Sequence, residues 1–373
     1  MAKIGIYTCF PAYIGGGERY IMTFANALQQ EHEVSFLCGS PLEYQKLSKI
    51  LNIDTSKINF VEFHGGVNLK KILFNNWFDQ QNIVYDVFVA MSNHITPSVI
   101  GLGRKNILHI QFPYPCQKTF NIKTLVKQNI YKYSYDLSVV NSKFTKSHVI
   151  KKFKYPLKVI YPPVATEHLK FTSYNYKKNQ IISVGRFIGT QDSKRQLEMV
   201  RFFKKLCDLY PDLDVEYLCV GGERPEKIHQ DYISQVQQEA EGYPIKLLLD
   251  TSLTDLAKLY SETKVFWHAK GYGVDEKHPE FTEHFGISTV EAMFSGCIPI
   301  VFKAGGQLEI VQDEYNGFLW RNEQELIQKT AEILRNYPVA LSIAQNAHES
   351  SLRFSSQNFK LQVRELIVSL LGK

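Results

Sequence analysis

Between Glu283 and Glu309 the chain reads E-H-F-G-I-S-T-V-E-A-M-F-S-G-C-I-P-I-V-F-K-A-G-G-Q-L-E. Glu283 and Glu291 are carboxylates eight positions apart, suited to accept hydrogen bonds from the hydroxyls of a sugar or a ribose. Between them Phe285-Gly286-Ile287 leads into a helix, and Gly305-Gly306 leads into another. The first amides of a helix lack intrahelical partners and the helix dipole favours negative charge there, so the stretch suits a phosphate-containing ligand. Ser288 and Glu291 also spell a capping box, S-x-x-E, which gives Glu291 a structural reading beside the chemical one. Two carboxylates can also be the acid and base of a glycosidase, but that chemistry needs no helix start or glycine between them.

Three further groups can join this stretch. Arg186 follows an apolar strand in Ser183-Val184-Gly185-Arg186, and Lys194 follows in Gln191-Asp192-Ser193-Lys194-Arg195. Arg binds phosphate as a fork and Lys as a point charge, so the pair suits a diphosphate; spacing alone does not choose between Lys194 and Arg195. Gly15-Gly16-Gly17 opens the first helix, where a glycine run lets backbone amides approach a phosphate or a sugar, or simply makes a tight turn. It is not G-x-G-x-x-G, and no acidic residue follows the second strand, which argues against a nicotinamide cofactor. His109 closes an expected strand before a proline-containing loop, as a ligand contact or as a structural histidine. Asp212-Leu213-Asp214 has the form of a cation chelator but precedes its strand, at the wrong end of the sheet, and reads as a surface turn.

The elements that must position these groups alternate strand and helix, the pattern of βαβ units and parallel sheets. Strands are expected at 3–8, 33–37, 59–63, 86–90, 106–110, 136–140 and 158–160, then at 180–184, 215–220, 245–249, 264–268, 298–302 and 317–319. Helices are expected, among others, at 18–30, 142–152, 193–210, 226–241, 323–336 and 356–371. Tyr161-Pro162-Pro163-Val164 breaks the pattern, because proline forbids helix interior and lacks a ladder donor. Domains are therefore expected at 1–164 and 165–355, with the last helix, 356–373, packing back on the first. Two doubly wound domains imply a ligand cleft between facing strand ends.

At 373 residues the chain can bury two cores, and no apolar run approaches the length of a membrane span. Met1–Thr8 reads as a strand rather than a signal peptide, and six scattered cysteines read as reduced thiols, so a cytoplasmic location is expected. The net charge of +6 is uneven: residues 1–165 hold 19 Lys/Arg against 9 Asp/Glu, and the rest 24 against 28. The basic tract over 118–158 interleaves Lys118, Lys123, Lys127, Lys132, Lys143, Lys146, Lys151, Lys152 and Lys154 with aromatics such as Phe120, Tyr133, Phe153 and Tyr155. It suits the anionic cytoplasmic face of a membrane, or it is a solvated surface; no nucleic-acid module accompanies it.

Taken together, Gly15-Gly16-Gly17-Glu18, His109, Gly185-Arg186 with Lys194, Glu283-His284-Phe285-Gly286 through Glu291-Ala292-Met293, Gly296-Cys297-Ile298-Pro299, Gly305-Gly306, Glu309 and Asn316-Gly317-Phe318-Leu319 resemble the family 4 retaining glycosyltransferases. The G-G-G-E-R and E-H-F-G-I elements are more loosely similar to mannosyltransferases of lipid-linked oligosaccharide assembly. The resemblance implies the GT-B fold, an α/β architecture of two Rossmann-like doubly wound domains facing across a cleft, with the acceptor on the first and the nucleotide sugar on the second. It implies transfer of a hexose from a GDP- or UDP-linked donor to a glycan or lipid-linked acceptor, with retention, no metal and no separate cofactor. It further implies Arg186 and Lys194 at the diphosphate, Glu291 at the ribose, and Glu283 with the amides of Phe285, Gly286 and Ile287 at the donor sugar. Gly16 and Gly17 would approach from the other domain, His109 would lie near the transferred sugar, and the base would rest near Leu249–Leu253. A sugar-nucleotide epimerase on the same fold and a non-catalytic carbohydrate-binding protein are the alternatives.

Overall fold

The structure, a computed structural model, describes residues 1–13, 15–64, 84–94, 97–114, 130–150 and 156–372. Lys118, Phe120, Lys123, Lys127, Lys151, Lys152, Phe153, Lys154 and Tyr155 lie outside these residues, and with them most of the tract expected to meet a membrane. Two compact units are present: Met1–Pro163 with Ser356–Lys373, and Val164–Ser355. Among the described residues no helix is long and apolar enough to cross a membrane.

The first unit is built on seven parallel strands: β1 (Lys3–Thr8), β2 (Glu33–Cys38), β3 (Ile58–Glu62), β4 (Tyr85–His94), β5 (Gly103–Tyr114), β6 (Leu137–Val140) and β7 (Leu157–Val159). Their order across the sheet is β3-β2-β1-β4-β5-β6-β7. Both faces are covered, which explains strands that read as continuous apolar runs rather than alternating ones. Val87, Val89 and Met91 of β4 join Ile4 and Ile6 on one face. Phe88 and Ala90 join Tyr7, Leu108 and Ile110 on the other. The first face is closed by α1 (Gly16–Leu28) and the terminal helix Ser356–Leu371, whose Phe359, Val363 and Ile367 are buried with Tyr20 and Phe24. Such side chains contribute about 1.5–3 kcal/mol each when fully buried, so the terminal helix is part of this core. Two shorter helices are α2 (Pro41–Ile50) and α3 (Lys143–Val149), the latter capped by Ser142 accepting from the Thr145 amide at 3.0 Å.

The second unit has six parallel strands, β8 (Lys178–Val184), β9 (Glu216–Gly221), β10 (Ile245–Leu249), β11 (Thr263–His268), β12 (Ile298–Phe302) and β13 (Phe318–Trp320), in the order β10-β9-β8-β11-β12-β13. Its helices are α4 (Gln196–Leu209), α5 (Lys227–Ala240), α6 (Leu253–Glu262), α7 (Ile287–Phe294), α8 (Gln307–Ile310), α9 (Glu323–Arg335) and α10 (Tyr337–Ser351); the terminal helix is α11. Phe203, Tyr217, Trp267 and Trp320 fill the core. Both indoles find acceptors, Trp267 at Thr330 Oγ1 (3.0 Å) and Trp320 at the His268 carbonyl (3.3 Å), which removes the penalty of burying their N–H groups.

In each sheet the chain starts in the middle, winds to one edge, then returns to wind to the other. The order reverses between β1 and β4 in the first unit and between β8 and β11 in the second. Ligands of such sheets bind outside the strand carboxyl ends at that reversal. All thirteen expected strands are present to within a few residues. Two boundaries differ in ways that matter: β5 runs on to Tyr114, so His109 is inside a strand rather than at its end, and α4 begins at Gln196 rather than Ser193.

Candidate functional site

β8 and β11 are neighbours across the reversal, and the residues just beyond their ends build the candidate site. After β8 the loop is laid on the end of β9: Gly185 N donates to the Val220 carbonyl and Phe187 N to the Gly222 carbonyl, each at 3.0 Å. Phe187 is buried, and Arg186 stands exposed between the two anchored residues. Gly185 lies so close to Lys194 that a Cβ would come within 2.6 Å of Lys194 Cγ. The residue before α4, Arg195, takes a left-handed φ of 65° and turns its guanidinium to Glu198 at 3.3 Å. The two basic neighbours are thereby separated, and it is Lys194 that faces Glu283.

Glu283 Oε2 accepts from the Lys194 ammonium and from His268 Nε2, the latter at 3.0 Å. His268 is buried at the end of β11, and its Nδ1 has no hydrogen-bond partner among the described residues. With Nε2 donating, the neutral imidazole carries its proton on Nε2, and burial lowers its pKa further. Burial alone would raise the Glu283 carboxyl; the Lys194 charge, the His268 hydrogen bond and the Lys270 charge outweigh it and hold the group well below the carboxylate range. Lys194 shows the opposing balance, lowered by burial and held up by Glu283. Lys270, two residues past β11, reaches Asp192 at 3.4 Å, so the β8 loop and the β11 loop are tied together. His284 donates through Nε2 to the Glu280 carbonyl at 3.0 Å, and burial beside Lys270 takes its pKa to about 3.

Beneath Glu283 the fit is between backbones. Gly306 N donates to the Glu283 carbonyl at 2.7 Å. Gly305 has φ 62°, and a Cβ there would meet that carbonyl at 2.1 Å; one on Gly306 would meet the His284 carbonyl and Phe285 Cα at 2.5 Å. The Gly305-Gly306 pair thus supports the turn that presents Glu283. Gly286, at φ 125°, is the residue before α7, and no side chain caps this helix. The expected capping box is not formed: Ser288 lies inside the first turn, so Glu291 falls in the second, where its carboxylate cannot reach back to a cap amide. Instead Tyr260 of α6 donates to Glu291 Oε2 at 3.3 Å and lies 3.4 Å from the Ser288 carbonyl. The Phe285 side chain is buried edge-on against Phe354 (5.2 Å between ring centroids), and Ile287 is half-buried at the helix start. Leu249 and Leu253 lie at the same strand-end side, around the close of β10 and the start of α6.

In the first unit, Gly16 and Gly17 form the first turn of α1, preceded by an extended Gly15 with φ −163°. A Cβ on Gly17 would lie 2.1 Å from Gln111 Nε2, so a larger residue would displace Gln111. His109 is not at a strand end facing solvent. It is buried in β5, stacked on Tyr20 (3.9 Å between centroids, 12° between planes). Burial drives its pKa down to about 3, the nearby Val139 backbone offsetting part of that, and its ring nitrogens make no well-formed hydrogen bond among the described residues. Arg335 Nη2 donates to both carboxylate oxygens of Asp212 (2.6 and 2.7 Å) ahead of β9, opposite the candidate site.

The site therefore gathers Arg186, Lys194 and Glu283 with the Gly286–Ile287 helix start, and adds residues given no role from sequence. Lys270 and His268 were findable, since both sit at the carboxyl end of an expected strand next to the reversal. Tyr260 and Gln196 carried no such signal, being ordinary members of amphipathic helices.

Residues 165–350, nearly all of the second unit, match the family model described as glycosyl transferases group 1. Among similar curated proteins is the GDP-Man:Man(3)GlcNAc(2)-PP-Dol alpha-1,2-mannosyltransferase of Dictyostelium discoideum, 29% identical over 272 residues, covering 68% of this chain and 51% of that protein. The protein of the same name from Xenopus laevis is 26% identical over 238 residues, 60% of this chain and 47% of its own length. The chain thus spans about half the length of the curated relatives it matches. Among solved structures, HepE of Anabaena in complex with UDP and glucose has a TM-score of 0.70 at 19% identity, with 99% of this chain and 100% of that one covered. A glycosyltransferase from Rickettsia africae ESF-5 has a TM-score of 0.72 at 19% identity, with coverage of 99% and 98%. At that identity the likeness is one of fold, and the two Rossmann-like units are those of the GT-B class. Residues 165–350, the body of the second unit, thus belong to the glycosyl transferases group 1 family.

Proposed function

We propose that this protein is a retaining, metal-independent glycosyltransferase that moves a hexose from a nucleotide-diphosphate sugar to a hydroxyl of a glycan or lipid-linked acceptor. The observation that carries the reading is the cluster of Lys194, Glu283 and His268, with Lys270 and Arg186 beside it, at the strand carboxyl ends where the sheet order reverses. In this reading Arg186 and Lys194 bind the donor diphosphate and take up charge as it leaves. The ionised Glu283 accepts from hexose hydroxyls, Glu291 from the ribose, and the amides at Phe285-Gly286-Ile287 meet the sugar phosphate. In the first unit the Gly16-Gly17 start of α1 is the proposed ligand-facing backbone. Transfer breaks the bond from the anomeric carbon to the phosphate oxygen and forms one to the acceptor oxygen on the same face. The acceptor proton passes to the departing phosphate oxygen, and preorganised cations stabilise the charge that develops.

The names of the similar proteins support two donors, GDP-mannose and UDP-glucose. Thermal shift against GDP-, UDP- and ADP-sugars tests the reading first: a true donor at a hundredfold excess over its Kd adds about 2.7 kcal/mol of apparent stability. The stabilising donor should also be slowly hydrolysed by the purified protein, releasing nucleoside diphosphate. No stabilisation and no release with any of them would overturn the proposal, and epimerised donor without acceptor would make it an isomerase. If the acceptor is lipid-linked, charge reversal at Lys151 and Lys152 should lower partitioning onto anionic vesicles; unchanged partitioning would leave the tract as a solvated surface.

A further inference from the structure

We infer that a half-buried hydrogen-bond network centred on Gln196 and Tyr232 is the positioning device for the loop that carries Arg186 and Lys194, an inference that rests on the donor-site reading above. Gln196 is buried at the first position of α4, where a glutamine would ordinarily face solvent. Its Nε2 donates backwards to the carbonyls of Gly185 (3.0 Å) and Arg186 (3.1 Å), closing the loop's end onto its beginning. Its Oε1 accepts from Tyr232 Oη of α5 at 3.4 Å. The same Tyr232 oxygen accepts from Ser193 Oγ (3.0 Å) and from the Leu197 amide (3.2 Å). Ser193 Oγ accepts in turn from the Arg195 amide at 3.0 Å. One face of α5 also supplies His229, whose Nδ1 accepts from the Gly189 amide at 3.1 Å.

Every donor and acceptor in this set is used once and in the right sense. The two N–H bonds of the glutamine amide go to two carbonyls, and the tyrosine hydroxyl donates one bond and accepts two. Gln196 and Ser193 are the buried members of this set, and a rearrangement that broke their bonds would leave desolvated polar groups. The loop has no freedom on its other side, since a Cβ on Gly189 would come within 2.4 Å of the Ile228 carbonyl of α5. The Arg186 carbonyl is thus gripped by Gln196 while its side chain stands exposed. Lys194 lies between Ser193 and Arg195, both of which belong to the network.

A plainer role would be to cap α4, whose capping position has no side-chain bond and whose Leu197 amide Tyr232 satisfies. The two roles separate experimentally in the full-length chain, with GDP and UDP as probes by calorimetry and donor turnover beside them. Gln196→Met keeps length and removes three hydrogen bonds, and Tyr232→Phe keeps the ring and removes three. A tenfold loss of affinity is about 1.4 kcal/mol, within what a few lost bonds give, so nucleotide binding should weaken about tenfold in each variant. Donor KM should rise to match while kcat stays within a small factor. In an Arg186→Ala background, Gln196→Met should add less than it costs the parent, because one of the two cations it positions is gone. Variants that melt earlier yet bind as the parent does, or losses that add fully to Arg186→Ala, would reduce the network to a helix cap and overturn the inference. If Gln196→Met does not fold, Tyr232→Phe decides alone. A parent protein that binds neither GDP nor UDP would instead bring down the donor-site reading, and this inference with it.

Discussion

Glu283 stays ionised although it is largely withdrawn from solvent, and that single balance governs what the site can do. Glu283→Ala should abolish transfer while the protein still folds, and Arg186→Ala should lower kcat/KM for the donor by about a hundredfold, the scale on which removing one stabilising charge or donor acts. Steady-state kinetics with the donor identified by thermal shift would check both; full activity in either variant would remove that residue from the site. Lys194→Met should cost more stability than an exposed pair would, about 2 kcal/mol, because it leaves a half-buried carboxylate with His268 as its remaining close partner. A urea titration of the variant would show it. At His109 the folded pKa of about 3 lies below the ordinary value of 6.5, so the unfolded chain binds the extra proton between those values and stability falls as pH drops through that window. His109→Phe, which keeps the stack on Tyr20, should flatten the pH dependence of the urea midpoint between about pH 6.5 and 3 relative to the parent.

At the scale of elements, short range rules read from sequence and long range packing came apart at two helix starts. S-x-x-E reads as a capping box at Ser288, yet α7 begins one residue after Gly286, and Glu291 is anchored from α6 by Tyr260. Nothing local announces this, because what moves the start is a Gly286 backbone at φ 125° lying over Gln307 of the next helix. Ser193 likewise opens the helix expected over 193–210, but its hydroxyl is taken by Tyr232 and the Arg195 amide, and α4 opens at Gln196. Gly305 shows how much rests on such fits. Gly305→Ala puts a side chain on a left-handed residue, which costs about 1–2 kcal/mol in backbone strain alone, and drives its methyl into the Glu283 carbonyl. A loss of more than 2 kcal/mol in chemical denaturation is expected, together with loss of donor binding. An alanine variant as stable as the parent would mean that the turn under Glu283 is not held by this contact.

For the molecule as a whole, the chain leaves the first unit at Pro163 and returns to it only at Ser356. Within the second unit the two crossings meet, Val164 N donating to the Phe354 carbonyl at 3.0 Å and Val164 bridging Ser355. Ending the chain at Ser355 would strip Phe359, Val363, Leu366 and Ile367 from α1 and expose Tyr20 and Phe24. The expected result is a first unit that unfolds well below the parent's melting temperature while the second keeps a cooperative transition, resolved by calorimetry. A single transition unchanged by the truncation would show that α11 is not part of the first core.

The amino-acid order by itself determined the thirteen strands and the doubly wound α/β class, because strand runs and glycine turns are local signals set by backbone and solvent physics. It also brought Arg186, Lys194 and Glu283 forward as candidates for one phosphate-binding site. Tertiary structure alone decided that Lys194 and not Arg195 turns to Glu283, that His109 is a core residue under Tyr20, and that Tyr260 and Gln196 stand around the candidate site. Those outcomes depend on which side chains meet across the reversal of a sheet order and on which polar atoms find partners once buried. Neither is a property of any window of the sequence.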